Sequence, residues 1–360
     1  MRSPDCVFRP LSAVPELPEV EVVRAGLAPA VTGARVVAAE VRDPRALKRH
    51  VPVSGDDGLG GHGVTLSAAA SAARSADFER RIAGISLEAP ERRGKFMWIP
   101  TSGVSADGAP LALLAHLGMS GQVLLRAHDA ADERHVRIRL WIEHPEHGEH
   151  RVDFADQRLF GSLALDALRK ASDGPGLVPA QAAHIARDPV DPAFDDGRFI
   201  AVLRNRSSGV KKLLLDQTLI SGVGNIYADE ALWRARLHPD TPGIAIGPRK
   251  AVELLAVLRA VFAQALSEGG TSFDEQYVNV NGQAGYFAHS LHAYGQAGRP
   301  CDRCGTPIRR VPFGGRSSHF CPKCQRRRPS VVRDARGRAG DPSGHRDVQA
   351  SGPVADGLAL

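Results

Sequence analysis

Apolar positions along the chain change their period near its middle. After Pro18, the run Glu19-Val-Glu-Val-Val-Arg-Ala-Gly-Leu27 combines an acidic first turn with helical apolar spacing, and Gly33 is placed to end that helix. From residue 34 to about residue 165 the pattern is that of strands: Val36-Val37, Ile85-Ser-Leu87, Lys95-Phe-Met-Trp-Ile99, 111–114, 122–125 and the alternating Val136-Arg-Ile-Arg-Leu-Trp-Ile142. Many short strands with Gly-rich turns predict a β-sandwich. Beyond residue 188 the period becomes helical, over 199–204, 210–217, 225–236 and 249–267. The pattern therefore predicts an α+β protein of two domains, an N-terminal β-sandwich with flanking helices followed by a helical domain. Residues 1–13 show no periodicity, the Gly- and Ala-rich stretch 54–76 reads as a long surface loop, and the Arg-, Gly- and Pro-rich end, 326–360, reads as a flexible basic tail.

Length and composition agree with this picture. A chain of 360 residues with 43% hydrophobic content holds about two domains with buried cores. No run of about 18 apolar residues appears, and the first residues lack a secretory apolar stretch, so a soluble, cytoplasmic protein is the expectation. The formal charge of +6 suits a polyanionic partner without identifying one.

Four of the five cysteines form two Cys-x-x-Cys pairs, Cys301-Asp-Arg-Cys304 and Cys321-Pro-Lys-Cys324, with sixteen residues between them. Two tight thiolate pairs on hairpin knuckles close a tetrahedral Zn²⁺ site, and four protein ligands leave no position open for water, so the metal is expected to be structural. Arg309, Arg310 and Arg316 lie between the pairs, where a rigid hairpin would present them to phosphates. A zinc ribbon serves protein contacts equally well.

Six segments in order resemble the formamidopyrimidine-DNA glycosylase family: Pro15-Glu-Leu-Pro-Glu19, Arg93-Gly-Lys95, His116-Leu-Gly-Met-Ser-Gly121, Asp156-Gln-Arg-Leu-Phe-Gly161, Gly222-Val-Gly-Asn-Ile-Tyr-Ala-Asp-Glu230 and the cysteine quartet. The resemblance implies a catalytic β-sandwich over 15–170, a linker over 171–195, a helix-two-turn-helix DNA-binding domain over 196–295 and a β-hairpin zinc finger over 296–325. It also implies a glycosylase and abasic-site lyase of base excision repair, acting as a monomer on damaged double-stranded DNA near the bacterial nucleoid. The expected lesions are 8-oxoguanine and formamidopyrimidines opposite cytosine. An oxidised-pyrimidine glycosylase of the endonuclease VIII type is the alternative within the family, and a non-catalytic damage binder is the alternative outside it.

The resemblance assigns chemistry to Pro15, Glu16 and Lys95. A secondary amine attacks the sugar carbon that bears the base and forms a cationic iminium without passing through a neutral imine, while an adjacent carboxylate moves protons. Pro15 is a tertiary amide as written, with fourteen residues before it. The amine therefore requires initiation at Val14 with trimming, or a cut before Pro15, and 1–14 is read as a non-native extension. By the same resemblance Lys211, Asn225, Arg316 and His116 hold phosphates. Met119 and Phe160 fill the space left by the flipped nucleotide, and Arg158 reads the orphaned cytosine. Leu159 stands where the family commonly has a second arginine. The segment 269–287 resembles the family's lesion loop, with Thr271, Ser272 and Tyr286 as candidate contacts.

Overall fold

The computed structural model describes residues 15–53, 66–271, 280 and 284–327. The N-terminal part is a sandwich of two antiparallel sheets. Strands β1 (Arg35–Val41), β6 (Val136–His144), β7 (Gly148–Asp156) and β5 (Gly121–Ala127) form one sheet in that order. The other runs β2 (Glu91–Arg93), β3 (Phe96–Val104), β4 (Pro110–His116), β8 (Ser162–Lys170) and β9 (Leu177–Pro179). Their inner faces meet in one core, where Met97, Ile99, Leu113 and Leu165 face Val123, Ile138, Leu140 and Phe154. Helix α1 (Leu17–Val31) covers it with Val20, Val23 and Leu27.

The helical part comprises α3 (Asp196–Arg204), α4 (Val210–Leu214), α5 (Asn225–Arg234) and α6 (Pro248–Ser267), followed by a hairpin of β10 (Arg309–Phe313) and β11 (Arg316–Phe320). Packing joins the halves at Leu17. Leu17, in the first turn of α1, is buried in the helical core beside Val223, Ile226 and Phe262 rather than in the sandwich. Among the described residues no helix is long and apolar enough to cross a membrane.

The structure corrects the reading of 54–76 as a loop. Residues 54–65 lie outside the described residues, but Ser67 caps a helix, α2 (Ala68–Ile82), by accepting a hydrogen bond from Ala70 N at 3.2 Å. Alanine is the strongest helix former, and the helix buries Phe78 and Ile82 in the sandwich core. Ile85 to Leu87 makes only isolated bridges, Arg35 to Ser86 and Leu87 to Thr101. The helix expected over 210–217 ends at Leu214. Strand β7 escaped the apolar pattern because it buries charge: Asp153, fully enclosed, pairs with Arg139 at 2.9 Å and Arg151 at 3.0 Å.

Helix α2 also holds His50, which has no exposed surface. Leu165 N donates to its Nδ1 at 3.2 Å, so that nitrogen is unprotonated, and Nε2 donates to Asp77 at 3.0 Å. Burial pushes the imidazole pKa down to about 4, outweighing the attraction of Asp77. The unfolded chain therefore takes up this proton first as the pH drops. Between pH 6.5 and 4 the fold is expected to lose up to about 3 kcal/mol through this residue. Urea unfolding across that range checks it, and His50→Gln should show a flatter profile than the native chain.

Candidate active site

The site forms where the first turn of α1 meets the turn before α5. Leu17 N donates to Gly222 O at 3.1 Å, and the Glu16 carboxylate accepts from Gly224 N at 2.6 Å and from Ile226 N at 3.0 Å. Glu16 therefore caps α5 from another domain, using the unsatisfied N–H groups of a helix start. Only glycine permits this approach. A Cβ on Gly224 would lie 2.2 Å from the Glu16 Cδ, and one on Gly222, whose φ is +85°, would lie 2.6 Å from Leu17. Gln217 braces the turn by accepting from Gly222 N and donating to Val223 O.

Glu16 is 2% exposed and follows the buried Pro15. Burial raises its pKa to about 7, assisted by Glu19 and opposed by Lys95 and the two backbone donors. The carboxyl therefore exchanges its proton near neutrality. Lys95 sits in the turn between β2 and β3, and its pKa is lowered by burial and by Arg316, against the pull of Glu16 and Glu19. That turn is fixed from the interdomain segment: Asp188 accepts from Gly94 N at 3.0 Å and from Arg92 at 2.8 Å, while Arg92 also reaches Glu21.

Glu19 is a second buried carboxylate, to which the sequence reading gave no role although its motif contains it. It accepts from Glu16 N at 2.9 Å, from Thr271 N at 2.8 Å and from the Tyr227 hydroxyl, which also meets Thr271 Oγ1 at 2.9 Å. Thr271, a candidate contact by sequence, is 1% exposed and is held here by Glu19 and Tyr227. Tyr286 bridges Thr271 and is 72% exposed, free to act as a contact, whereas Ser272 lies outside the described residues. Val280 is buried against the sandwich and accepts from Leu125 N at 3.0 Å, so the lesion segment is anchored there as well.

A third hub joins α4, α5 and the hairpin. Lys211 has no exposed side-chain surface; its ammonium pairs with Asp229 at 2.6 Å and donates to Ser317 O at 3.1 Å. Asn225 is the first residue of α5, with Gly224 at the cap, and its Nδ2 also donates to Ser317 O at 3.0 Å. The nearby backbone donors of Gly224 and Ile226 are taken by Glu16. Asp229 further accepts from His319 N at 2.8 Å, which ties the hairpin to α5 and leaves Arg316 exposed at the start of β11, near enough for its charge to act on Lys95.

Met119 and Arg158 to Phe160 occupy neighbouring turns. A Cβ on Gly118 would lie 2.4 Å from Phe160 C, so the turns touch backbone to backbone. Asp156 clips them together, accepting from Ser120 Oγ, from Arg158 N at 3.1 Å and from Gly161 N at 2.7 Å. Arg158 is exposed and Phe160 is 41% exposed. His116 ends β4 with its ring 4.8 Å from Phe96, the residue after Lys95.

The sulfurs of Cys301, Cys304, Cys321 and Cys324 lie within 4.8 Å of one another. A tetrahedral zinc with bonds of about 2.3 Å places sulfurs roughly 3.8 Å apart, so the four fit one structural Zn²⁺. Two N–H groups, Trp233 Nε1 and Cys324 N, point at the sulfurs of Cys301 and Cys321 at 3.4 Å, as donors do around thiolates.

Three family models match the chain: the formamidopyrimidine-DNA glycosylase N-terminal domain over residues 14–163, the H2TH domain of the same enzymes over 185–276, and a zinc finger found in FPG and IleRS over 298–327. A formamidopyrimidine-DNA glycosylase of Leifsonia xyli subsp. xyli is 56% identical over 322 residues, covering 87% of this chain and 100% of the relative. The Lactococcus lactis Fpg in complex with abasic-site DNA is a structural neighbour with TM-score 0.66 and 27% identity, covering 87% of this chain and all of the other. The MutM (Fpg) protein of Thermus thermophilus has TM-score 0.65 and 31% identity, covering 88% of this chain and all of the other.

Two outcomes are expected. In Gly224→Ala the new methyl pushes the Glu16 carboxylate off backbone donors that favour its anion, so its titration midpoint, followed by carbon-13 NMR of labelled glutamate, should rise above 7. Metal analysis should find one zinc per chain, and chelation should unfold the hairpin while the sandwich keeps its strand signal in circular dichroism.

Proposed function

The chain belongs to the formamidopyrimidine-DNA glycosylase family, and from that premise we propose that Pro15 and Glu16 perform the chemistry of a base-excision glycosylase and lyase on oxidised purines opposite cytosine. The observation that carries the reading is a buried carboxyl, adjacent to Pro15, whose pKa of about 7 lets it give and accept protons at neutral pH.

In the proposed sequence the Pro15 secondary amine attacks C1′ of the damaged nucleoside. An N–C1′ bond forms, the bond from C1′ to the base breaks, and the base leaves with the electron pair and a proton. The C1′–O4′ ring bond then breaks, with O4′ taking up a proton, to leave the iminium; loss of the C2′ proton expels the 3′ phosphate, and loss of the C4′ proton next expels the 5′ phosphate, the β,δ-elimination. Glu16 carries the protons, held in place by Gly224 and Ile226. Lys95, partly buried beside it, would meet the phosphate or sugar next to the lesion, and Arg316, exposed at the hairpin, would hold the backbone. Met119 and Phe160 would fill the vacated stack, and Arg158 would read the orphaned cytosine. A position in the cytoplasm beside the nucleoid follows from this substrate.

The amine exists only when the chain begins at Pro15. Mass spectrometry of active protein should show that N-terminus, and borohydride should trap a covalent adduct with 8-oxoguanine duplex; active protein retaining residues 1–14, or giving no adduct, overturns the amine mechanism. Faster excision of thymine glycol than of 8-oxoguanine would move the chain to the oxidised-pyrimidine alternative. Glu16→Gln should slow excision by roughly 10²- to 10⁴-fold in single-turnover assays. Arg158→Ala should weaken discrimination of the opposite base by on the order of 1–3 kcal/mol, measured by comparing cytosine with adenine opposite the lesion.

A further inference from the structure

The turn that carries Arg158 and Phe160 is held by its backbone at three points. Asp156 takes the N–H groups of Arg158 and Gly161, at 3.1 and 2.7 Å. The third hold comes from far away in sequence: Lys48 Nζ donates to the Leu159 carbonyl at 2.5 Å. Leu159 has φ +58°, a left-handed conformation that costs a branched residue on the order of 1–2 kcal/mol and persists only where its surroundings enforce it. Its side chain turns inward onto the sandwich core, and its carbonyl faces Lys48. The peptide unit between Leu159 and Phe160 is therefore oriented by one ammonium group. No hydrogen bond among the described residues holds the Arg158 guanidinium itself, so its direction is set through this backbone.

We propose that Lys48 is a positioning residue for the reading of the opposite base, fixing Leu159 in its left-handed conformation so that Arg158 and Phe160 project into the duplex at a set angle. The inference rests on the reading of Arg158 given above. Lys48 suits the task because it is anchored: it follows a short 3-10 helix, Pro44–Leu47, whose Ala46 and Leu47 are fully buried. Two charged groups act on it. Asp156, at the end of β7, favours the ammonium, and the neighbouring Arg49 opposes it; Arg137 on β6 is occupied with the Asp156 carbonyl at 2.8 Å. Burial is the larger influence and lowers the Lys48 pKa to about 8, so the hold weakens as the pH rises through that value. Arginine at this position stays charged throughout.

The test measures single-turnover excision of 8-oxoguanine opposite cytosine and opposite adenine, and takes their ratio, in which the chemistry at Pro15 cancels. Lys48→Met should lower the ratio roughly tenfold, the scale of one charge-assisted hydrogen bond, while Lys48→Arg preserves it. For the native chain the ratio should fall between pH 7 and 9, and for Lys48→Arg it should stay level, an arm that stands even if Lys48→Met does not fold. A ratio unchanged in Lys48→Met, or an equal slope with pH in the native chain and Lys48→Arg, overturns the proposal. Arg158→Ala separates the two failures. If it lowers the ratio while Lys48→Met does not, only the positioning role falls; if neither lowers it, the reading of Arg158 falls as well.

Discussion

Everything at this site depends on one carboxylate capping a helix that belongs to another domain. Glu16 lies at the start of α1, yet its oxygens receive the N–H groups of Gly224 and Ile226 at the start of α5. The contact ties the first turn of α1 to the start of α5, beside the Lys95 turn held by Asp188 and the Thr271 N–H held by Glu19. It is possible only because Gly222 and Gly224 leave the space that side chains would fill. The free-energy terms oppose each other. A helix start and two donors favour the anion, whereas burial disfavours it, and burial wins by enough to place the pKa near 7. A cap built for stability alone would keep its charge at all ordinary pH values.

Much of this was legible in the sequence because the motifs are local. Pro15 and Glu16 are neighbours, the cysteine pairs have knuckle spacing, and the strand and helix periods set a β-rich first part apart from a helical second one. What the motifs did not show is mostly pairing between segments distant in sequence. Lys211 matched a phosphate-contact position, but its partner Asp229 comes from the next helix and its other acceptor, Ser317, from the zinc hairpin. Thr271 matched a loop contact, but Glu19 and Tyr227 bury it. Strand β7 escaped notice because its interior is an ion pair, and α2 because its first visible residues are small. Spacing reveals residues on one element; it does not reveal what a second element brings to them.

The buried acids form a pattern. Glu16, Glu19, Asp156, Asp188, Asp229 and Glu230 are all buried, and each accepts backbone N–H groups from another segment or a nearby turn. Glu230 takes those of His292, Ala293 and Tyr294, the approach to the zinc finger. A turn exposes donors that no ladder satisfies, and a buried carboxylate has acceptor positions enough for several of them. Such a clip orders a loop from below while leaving its upper side chains free, which a catalytic surface requires of Arg158, Tyr286 and Arg316.

Among these acids, their neighbours decide which can work as a proton carrier. Asp188 lies against Arg92, and Asp229 against Lys211 at 2.6 Å, so a full cation secures each. Glu230 receives its three donors from His292, Ala293 and Tyr294. Glu16 differs. The cation that acts on it most is Lys95, whose own charge is weakened by burial and by Arg316. Two groups of opposite sign, each with its charge destabilised and each acting on the other, share protons more readily than a firmly ionised pair. The pairing pattern around the junction thus sets Glu16 apart from Asp188 and Asp229, each of which is held in a firm ion pair.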